Sequence, residues 1–243
     1  MDFGLLLDDA LSYTKQGVFG DMNRWIKLIL AIICIGLPFN GYVMRIYRGA
    51  HSAPEVDQWG TLVVDGLKLL IVGLIYAIPL FVLWVLAYGR MLMAVASGNI
   101  NSVMIQSWTP NLIFVGLIYV IEIIIAVIVP VASIRFARTS SFAEAFNFSA
   151  IFGTIRKIGW INYIIALILI SLVIGIPICI IIFGMIAIGG IAIWTLGGGI
   201  AAILGLILAL VLVILVLAPL FGVFQARYMT LVYDSADSSV PSP

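Results

Sequence analysis

Apolar positions gather into five runs, at about residues 25–43, 67–90, 110–133, 159–187 and 199–224, with polar stretches between them. A helix that crosses a bilayer needs about 20 predominantly apolar residues. The last four runs meet that length and predict four spans. The first is short: Trp25–Phe39 carries Lys27, and extension through "NGYVMRIY" takes in Asn40 and Arg45. It either crosses tilted or enters and returns at Pro38–Gly41. No Asp, Glu, Lys or Arg interrupts Ile158–Phe224, and the clustered glycines of Trp194–Gly199 predict the turn that divides this stretch into two helices. At the N-terminus, Phe3, Leu6, Leu7, Ala10 and Leu11 recur at helical spacing and predict a short amphipathic helix on the membrane surface. Asp2, Asp8 and Asp9 stand where a secretory leader would be basic, so no leader is expected. The division that follows is an interfacial segment over 1–24, one transmembrane domain over 25–233 and a polar, disordered tail over 234–243.

The polar stretches echo one another. Sliding the chain by 89 residues sets Glu55 on Glu144, Lys68 on Lys157, Gly116 on Gly205, Pro130 on Pro219 and Ala137-Arg138 on Ala226-Arg227. Arg45 and Arg48 match Arg135 and Arg138 at an offset of 90. A duplication of a two-helix unit in parallel orientation accounts for these matches, while equal hairpin lengths would also produce the charge matches. Two linkers carry helical amphipathic patterns. Trp59, Leu62, Val63, Gly66, Leu67 and Leu70 form one apolar face, opposite Gln58, Thr61, Asp65 and Lys68. Phe142, Phe146, Ser149, Phe152 and Ile155 form another, opposite Glu144, Asn147, Thr154 and Lys157. Both predict helices lying on the inner membrane surface, either as a platform for lipid headgroups or a partner, or as a packing collar that seals the hairpins.

Composition fixes the class. The chain is 64% hydrophobic and 9% charged, whereas soluble domains are about a quarter charged. The fold class expected is therefore all-α: a polytopic membrane helical bundle of two tandem transmembrane hairpins, cytoplasmic interfacial helices and a short N-terminal apolar segment. A net charge of +1 gives no reason to expect nucleic acid. Basic residues concentrate beside the linkers and after the last run, so the hairpin feet and the C-terminus are expected in the cytoplasm. Arg45, Arg48, Trp59, Lys68, Arg135, Arg138, Arg156, Lys157 and Arg227 stand where lipid headgroups would lie, and membrane lipids are the expected partners.

Candidate chemistry is sparse. Glu122 is the only ionisable residue between Met91 and Ile134. A carboxyl within a span is costly and is expected to face the bundle or a water-filled cavity, with Arg90 the nearest basic candidate. Pro38, Pro79, Pro130, Pro177 and Pro219 place one proline in the interior of each run. Ala201, Gly205 and Ala209 recur every four residues, with Gly198 and Ala202 on an adjoining stripe, a pattern that lets helices approach within a chain or between subunits. Cys34 and Cys179 sit in apolar sequence, and His51 stands alone, so neither a metal site nor a cofactor is expected. The chain carries no Walker loop and no HExxH, and "LGGGI" sits in an apolar turn. An enzyme is not expected. The reading is a membrane scaffold or accessory subunit, alone, as a homo-oligomer or with a membrane-complex partner; a small-solute or ion transporter using Glu122 and proline-broken helices is the alternative.

The segment from Gly41 to Pro79 resembles a known family. Its Gly41, Tyr42, Arg45 and Arg48, then Pro54, Glu55, Asp57, Trp59 and Gly60, then Asp65, Gly66, Leu67 and Lys68 follow the pattern of archaeal membrane proteins grouped as domain-of-unknown-function family 4013. The apolar hairpins extend the likeness over roughly residues 8–235. The resemblance implies an archaeal origin and a plasma-membrane location. It lends no activity.

Overall fold

The computed structural model describes residues 1–97, 111–195 and 199–238, and among these the regular structure is helical throughout. Most of the connection Ser97–Thr109 and of the turn Trp194–Gly199 lies outside the described residues. Asp2 starts α1 (Phe3–Thr14): its carboxylate accepts from the Gly4 and Leu5 amides at 3.0 and 3.2 Å, which satisfies two of the free N–H groups of a helix start. A π-helical turn, Lys15–Phe19, follows and ends at Gly20. Asp21 caps α2 (Met22–Ile33) in the same way as Asp2 caps α1. α1 lies along the last helix, turning Phe3, Leu6, Leu7 and Ala10 inward.

The first apolar run does not make a span. α2 stops at Cys34, where Ile35 and Gly36 take positive φ of 61° and 70°, and α3 (Leu37–Tyr47) restarts with Pro38 in its first turn. Twelve and eleven helical residues reach only about 18 Å each. The reversal falls at Cys34–Gly36, ahead of the Pro38–Gly41 position expected, because Pro38 suits a helix start rather than a helix end.

α4 (Trp59–Ala96) corrects a second expectation. The amphipathic run after Pro54 is not a separate surface helix; it forms the first turns of a continuous 38-residue helix. Its inward face is also rotated from the one expected. Leu62, Gly66 and Val72 are buried and Asp65 half-buried, while Trp59, Val63 and Leu67 face outward. Glycines explain the rotation. A Cβ on Gly41 would lie 2.0 Å from the Leu62 carbonyl oxygen, and one on Gly66 would lie 1.8 Å from that of Leu37. α3 and α4 therefore cross backbone to backbone, the most extensive helix pairing among the described residues.

α5 (Leu112–Thr139) pairs with α4 and ends at Ser140 in left-handed conformation. A single turn, α6 (Phe142–Ala145), leads to α7 (Phe148–Ile158), which is capped by the Asn147 side chain and ended by Gly159 at φ 92°. The second linker thus does form its own short helix. It buries Ile151, Ile155 and Ile158, however, and leaves Phe142, Phe148 and Phe152 exposed. Gly159 is what separates it from α8 (Trp160–Thr195); the position 89 residues earlier is Leu70, and there the helix continues. α9 (Ile200–Ser238) pairs with α8 and runs past residue 234, so the start of the tail expected to be disordered is helical, with Ala236 buried.

α4, α5, α8 and α9 are each long and apolar enough to cross a membrane. The chain is therefore a multi-pass membrane protein. In the most apolar stretch of each span at most 11% of residues are buried. Burial concentrates instead at one end, where α1, α2, α3 and α7 pack around the N-terminal turns of α4 and α8 and the C-terminal turns of α5 and α9. We refer to this end as the foot.

The glycine crossing yields a direct test. Gly41→Val or Gly66→Val forces α3 and α4 apart and should cost about 3 kcal/mol, read as a lowered melting temperature in detergent. Gly205 has open space where its Cβ would be, so Gly205→Ala should leave the melting temperature of the isolated chain unchanged.

Candidate functional site

The foot is braced by arginines at helix ends. Arg45 Nη1 donates to the Asp57 carboxylate at 2.6 Å and the Glu55 carbonyl at 2.9 Å; its Nη2 reaches the Asp57 carbonyl and the Thr61 hydroxyl. Arg135 pairs with Glu144, and Arg24 with Glu55. Arg48 pairs with Asp65 at 2.7 Å and donates through Nε to the Ala137 carbonyl near the end of α5. Arg138 returns the contact: its Nε donates to the Tyr47 carbonyl at the end of α3, and its Nη2 to Asp234 at 2.6 Å. Arg227 is 9% exposed, pairs with Asp9 at 2.8 Å, donates to the Ala50 carbonyl and covers the Tyr13 ring at 4.8 Å. A guanidinium beside C-terminal carbonyls meets both their unfilled acceptor capacity and the negative end of the helix dipole.

These contacts set the local acid–base behaviour. The hydrogen bond from Arg135, aided by Asn147, holds the Glu144 carboxyl below its ordinary range. Burial pushes the Tyr13 phenol up to about 12, against the opposing pull of Arg227 and Arg24. Burial likewise raises Tyr47 to about 12, and it raises Tyr42, whose hydroxyl is enclosed without a hydrogen-bond partner.

The residues singled out as lipid-facing therefore divide. Arg45, Arg48, Arg135, Arg138 and Arg227 turn to carboxylates and carbonyls of the chain itself. Lys68 lies 4.0 Å from Asp65, and Arg156 and Lys157 are exposed in the last turn of α7. Trp59 opens α4 and is 38% exposed. Glu122 corrects an expectation: it lies on the exposed side of α5 rather than toward the bundle, between exposed Tyr119 and Ile123. Arg90 is exposed on α4 and is not its partner. The Asn111 amide bonds the Ala87 carbonyl, which sets the level of α5 against α4 and leaves Arg90 and Glu122 about 20 Å apart along the helices. Gly205 has open space where its Cβ would lie and Ala201 is exposed, whereas α8 closely approaches α9 at Gly189, where a Cβ would lie 2.4 Å from Leu206.

Two aromatic side chains escaped the sequence reading. Tyr163 donates its hydroxyl to the Val127 carbonyl at 2.7 Å, and the Trp25 indole donates to the Val216 carbonyl at 3.1 Å. Each carbonyl stands three residues before a proline, Pro130 and Pro219, where the missing amide loosens the helix ladder. The two sites are 89 residues apart, the repeat offset.

Beside the foot lies a lateral groove of about 440 Å³ between α1, α8 and α9, lined by apolar side chains such as Leu7, Leu11, Val173 and Phe221, with Asp8 and Lys15 also on its wall. Phe221 also lines a second groove, of about 290 Å³, between the isoleucines of α8 and Ile214, Leu217 and Gln225 of α9.

Two measurements follow. Tyr163→Phe removes this added donor from the Val127 carbonyl and should lower stability by about 1 kcal/mol. Raised phenol pKa values mean that the unfolded chain, near the ordinary value of 10.0, loses protons before the folded one does. Stability should therefore be level below pH 10 and fall as pH rises from 10 to about 12, and Tyr13→Phe should flatten that fall in an unfolding titration.

Comparison with known proteins adds a family and no activity. Neither a curated protein nor a solved structure matches the chain. The family model described as "Protein of unknown function (DUF4013)" matches residues 26–185, from α2 through most of α8. With two thirds of its length so matched, including Arg45, Arg48, Arg135 and Arg138 of the arginine-braced foot, the chain belongs to the DUF4013 family.

Proposed function

We propose that this protein is a non-enzymatic membrane scaffold or an accessory subunit of a membrane assembly, with its foot and C-terminus in the cytoplasm of a plasma membrane. The observation that carries the proposal is Glu122. Its side chain is exposed on a membrane-crossing helix, with no hydrogen bond or ion pair among the described residues. A carboxyl facing lipid tails costs several kcal/mol, and such residues are ordinarily turned toward protein. A second transmembrane helix laid against α5 would supply that protein. Transport, the competing reading, needs a polar path leading to Glu122. The described grooves lie instead against α8 and α9 and are lined chiefly by Ile, Leu, Val and Phe, and Glu122 lines neither.

Mild extraction followed by native mass measurement tests the reading. The wild type should exceed the 26.4 kDa of one chain. Glu122→Gln, which keeps hydrogen bonding without charge, should retain the assembly, and Glu122→Leu should lose it. A lone monomer for the wild type, or proton flux in vesicles that Glu122→Gln abolishes, would overturn the scaffold reading.

A further inference from the structure

We propose that the groove between α1, α8 and α9 binds one membrane phospholipid whose headgroup carries an ammonium as well as a phosphate. The argument is independent of the scaffold reading.

Shape comes first. The groove lies where α1 and the turn after it rest against two membrane-crossing helices, and it shares Phe221 with the second groove between α8 and α9. At about 440 Å³, mostly apolar and with few polar groups, it has the build of a ligand pocket. An apolar groove at the foot that shares Phe221 with a second apolar groove between two spans suits an acyl chain.

Charge supplies the specificity. Every arginine that braces the foot is neutralised by a carboxylate of the chain. Lys15 differs: it is exposed, lines the groove and has no carboxylate within ion-pair distance among the described residues. Its ammonium is left to meet a phosphate. Asp8 lines the same groove and likewise has no cation within ion-pair distance among the described residues. A purely anionic headgroup would answer Lys15 and be repelled by Asp8; a phosphate followed by an ammonium answers both. The π-helical turn that begins at Lys15 sets both Lys15 and Phe19 on the groove wall. Such turns recur at functional sites.

The test is native mass measurement of the full chain in detergent, titrated separately with phosphatidylethanolamine and phosphatidylglycerol. One phosphatidylethanolamine should stay bound, more firmly than phosphatidylglycerol. Lys15→Gln should weaken its retention about fivefold, the effect of losing one surface lysine–phosphate contact. Val173→Trp should block the slot. Lys27→Gln, a half-buried cation that does not line the groove, should change nothing, and an unaltered melting temperature in the variants excludes misfolding as the cause. Equal retention of the two lipids, or equal loss on changing Lys15 and Lys27, would overturn the proposal.

Discussion

The fold depends on two guanidinium groups that exchange places. Arg48, at the end of α3, donates to a carbonyl near the end of α5, and Arg138, at the end of α5, donates to the last carbonyl of α3. Two helix C-termini would otherwise repel one another with parallel dipoles and unfilled acceptors. The exchange turns that liability into a clamp. Asp65 and Asp234 then balance the two charges from α4 and α9, so the clamp joins four helices at one level. Arg227 ties α9 to α1 and to the loop after α3 in the same manner.

Why the anchoring is at the foot follows from the solvent. Within lipid there is no hydrophobic drive to bring helices together, since a neighbouring tail is as apolar as a leucine. Along the spans, close approach is confined to points such as Gly189 against Leu206. At the foot, water is available on one side, so apolar burial is favourable and charged side chains can pair without being stranded in hydrocarbon. The helices are therefore fixed relative to one another where both forces operate, and they are left lightly packed where neither does. The proline sites fit the same logic. Val127 and Val216 lie just above the foot, and Tyr163 and Trp25 reach them from elements that the foot has already ordered.

The parts of this arrangement that rest on strong local signals were legible from sequence. Four runs of apolar residues longer than a bilayer permit little besides spans, and the Arg-x-x-Arg echo marked two ends on one side of the membrane, although its arginines answer helix carbonyls rather than headgroups. What stayed hidden depends on direction. In α5 the hydropathy is nearly uniform around the helix, so nothing in the pattern says which side Glu122 takes. The continuity of α4 through Leu70, against the break at Gly159, turns on one residue in linkers that share few others. Gly41 and Gly66 were visible as residues of the family pattern, but their role as a backbone crossing needs both partners in space. Ala201, Gly205 and Ala209 drew attention through spacing alone, and spacing does not say what lies opposite.

The duplication gains weight from features that hairpin length cannot explain. Equal hairpins place inside charges at equal offsets, so the matched arginines alone decide nothing. The carbonyls of Val127 and Val216 are different: each precedes a proline by three residues, each accepts from an aromatic side chain, and the two stand at the 89-residue offset. Hairpin length sets no requirement for a proline at a given register, nor for a donor beside it. Yet the donors come from unrelated places, Tyr163 from the following helix and Trp25 from α2, far earlier in the chain. If the two helices are copies, each kept its proline, and each found its added donor in whichever aromatic its surroundings offered. By this account α2 is an added element that completes the second copy. That is a physical reason for its stopping at twelve residues: it has to reach Val216, not to cross the membrane.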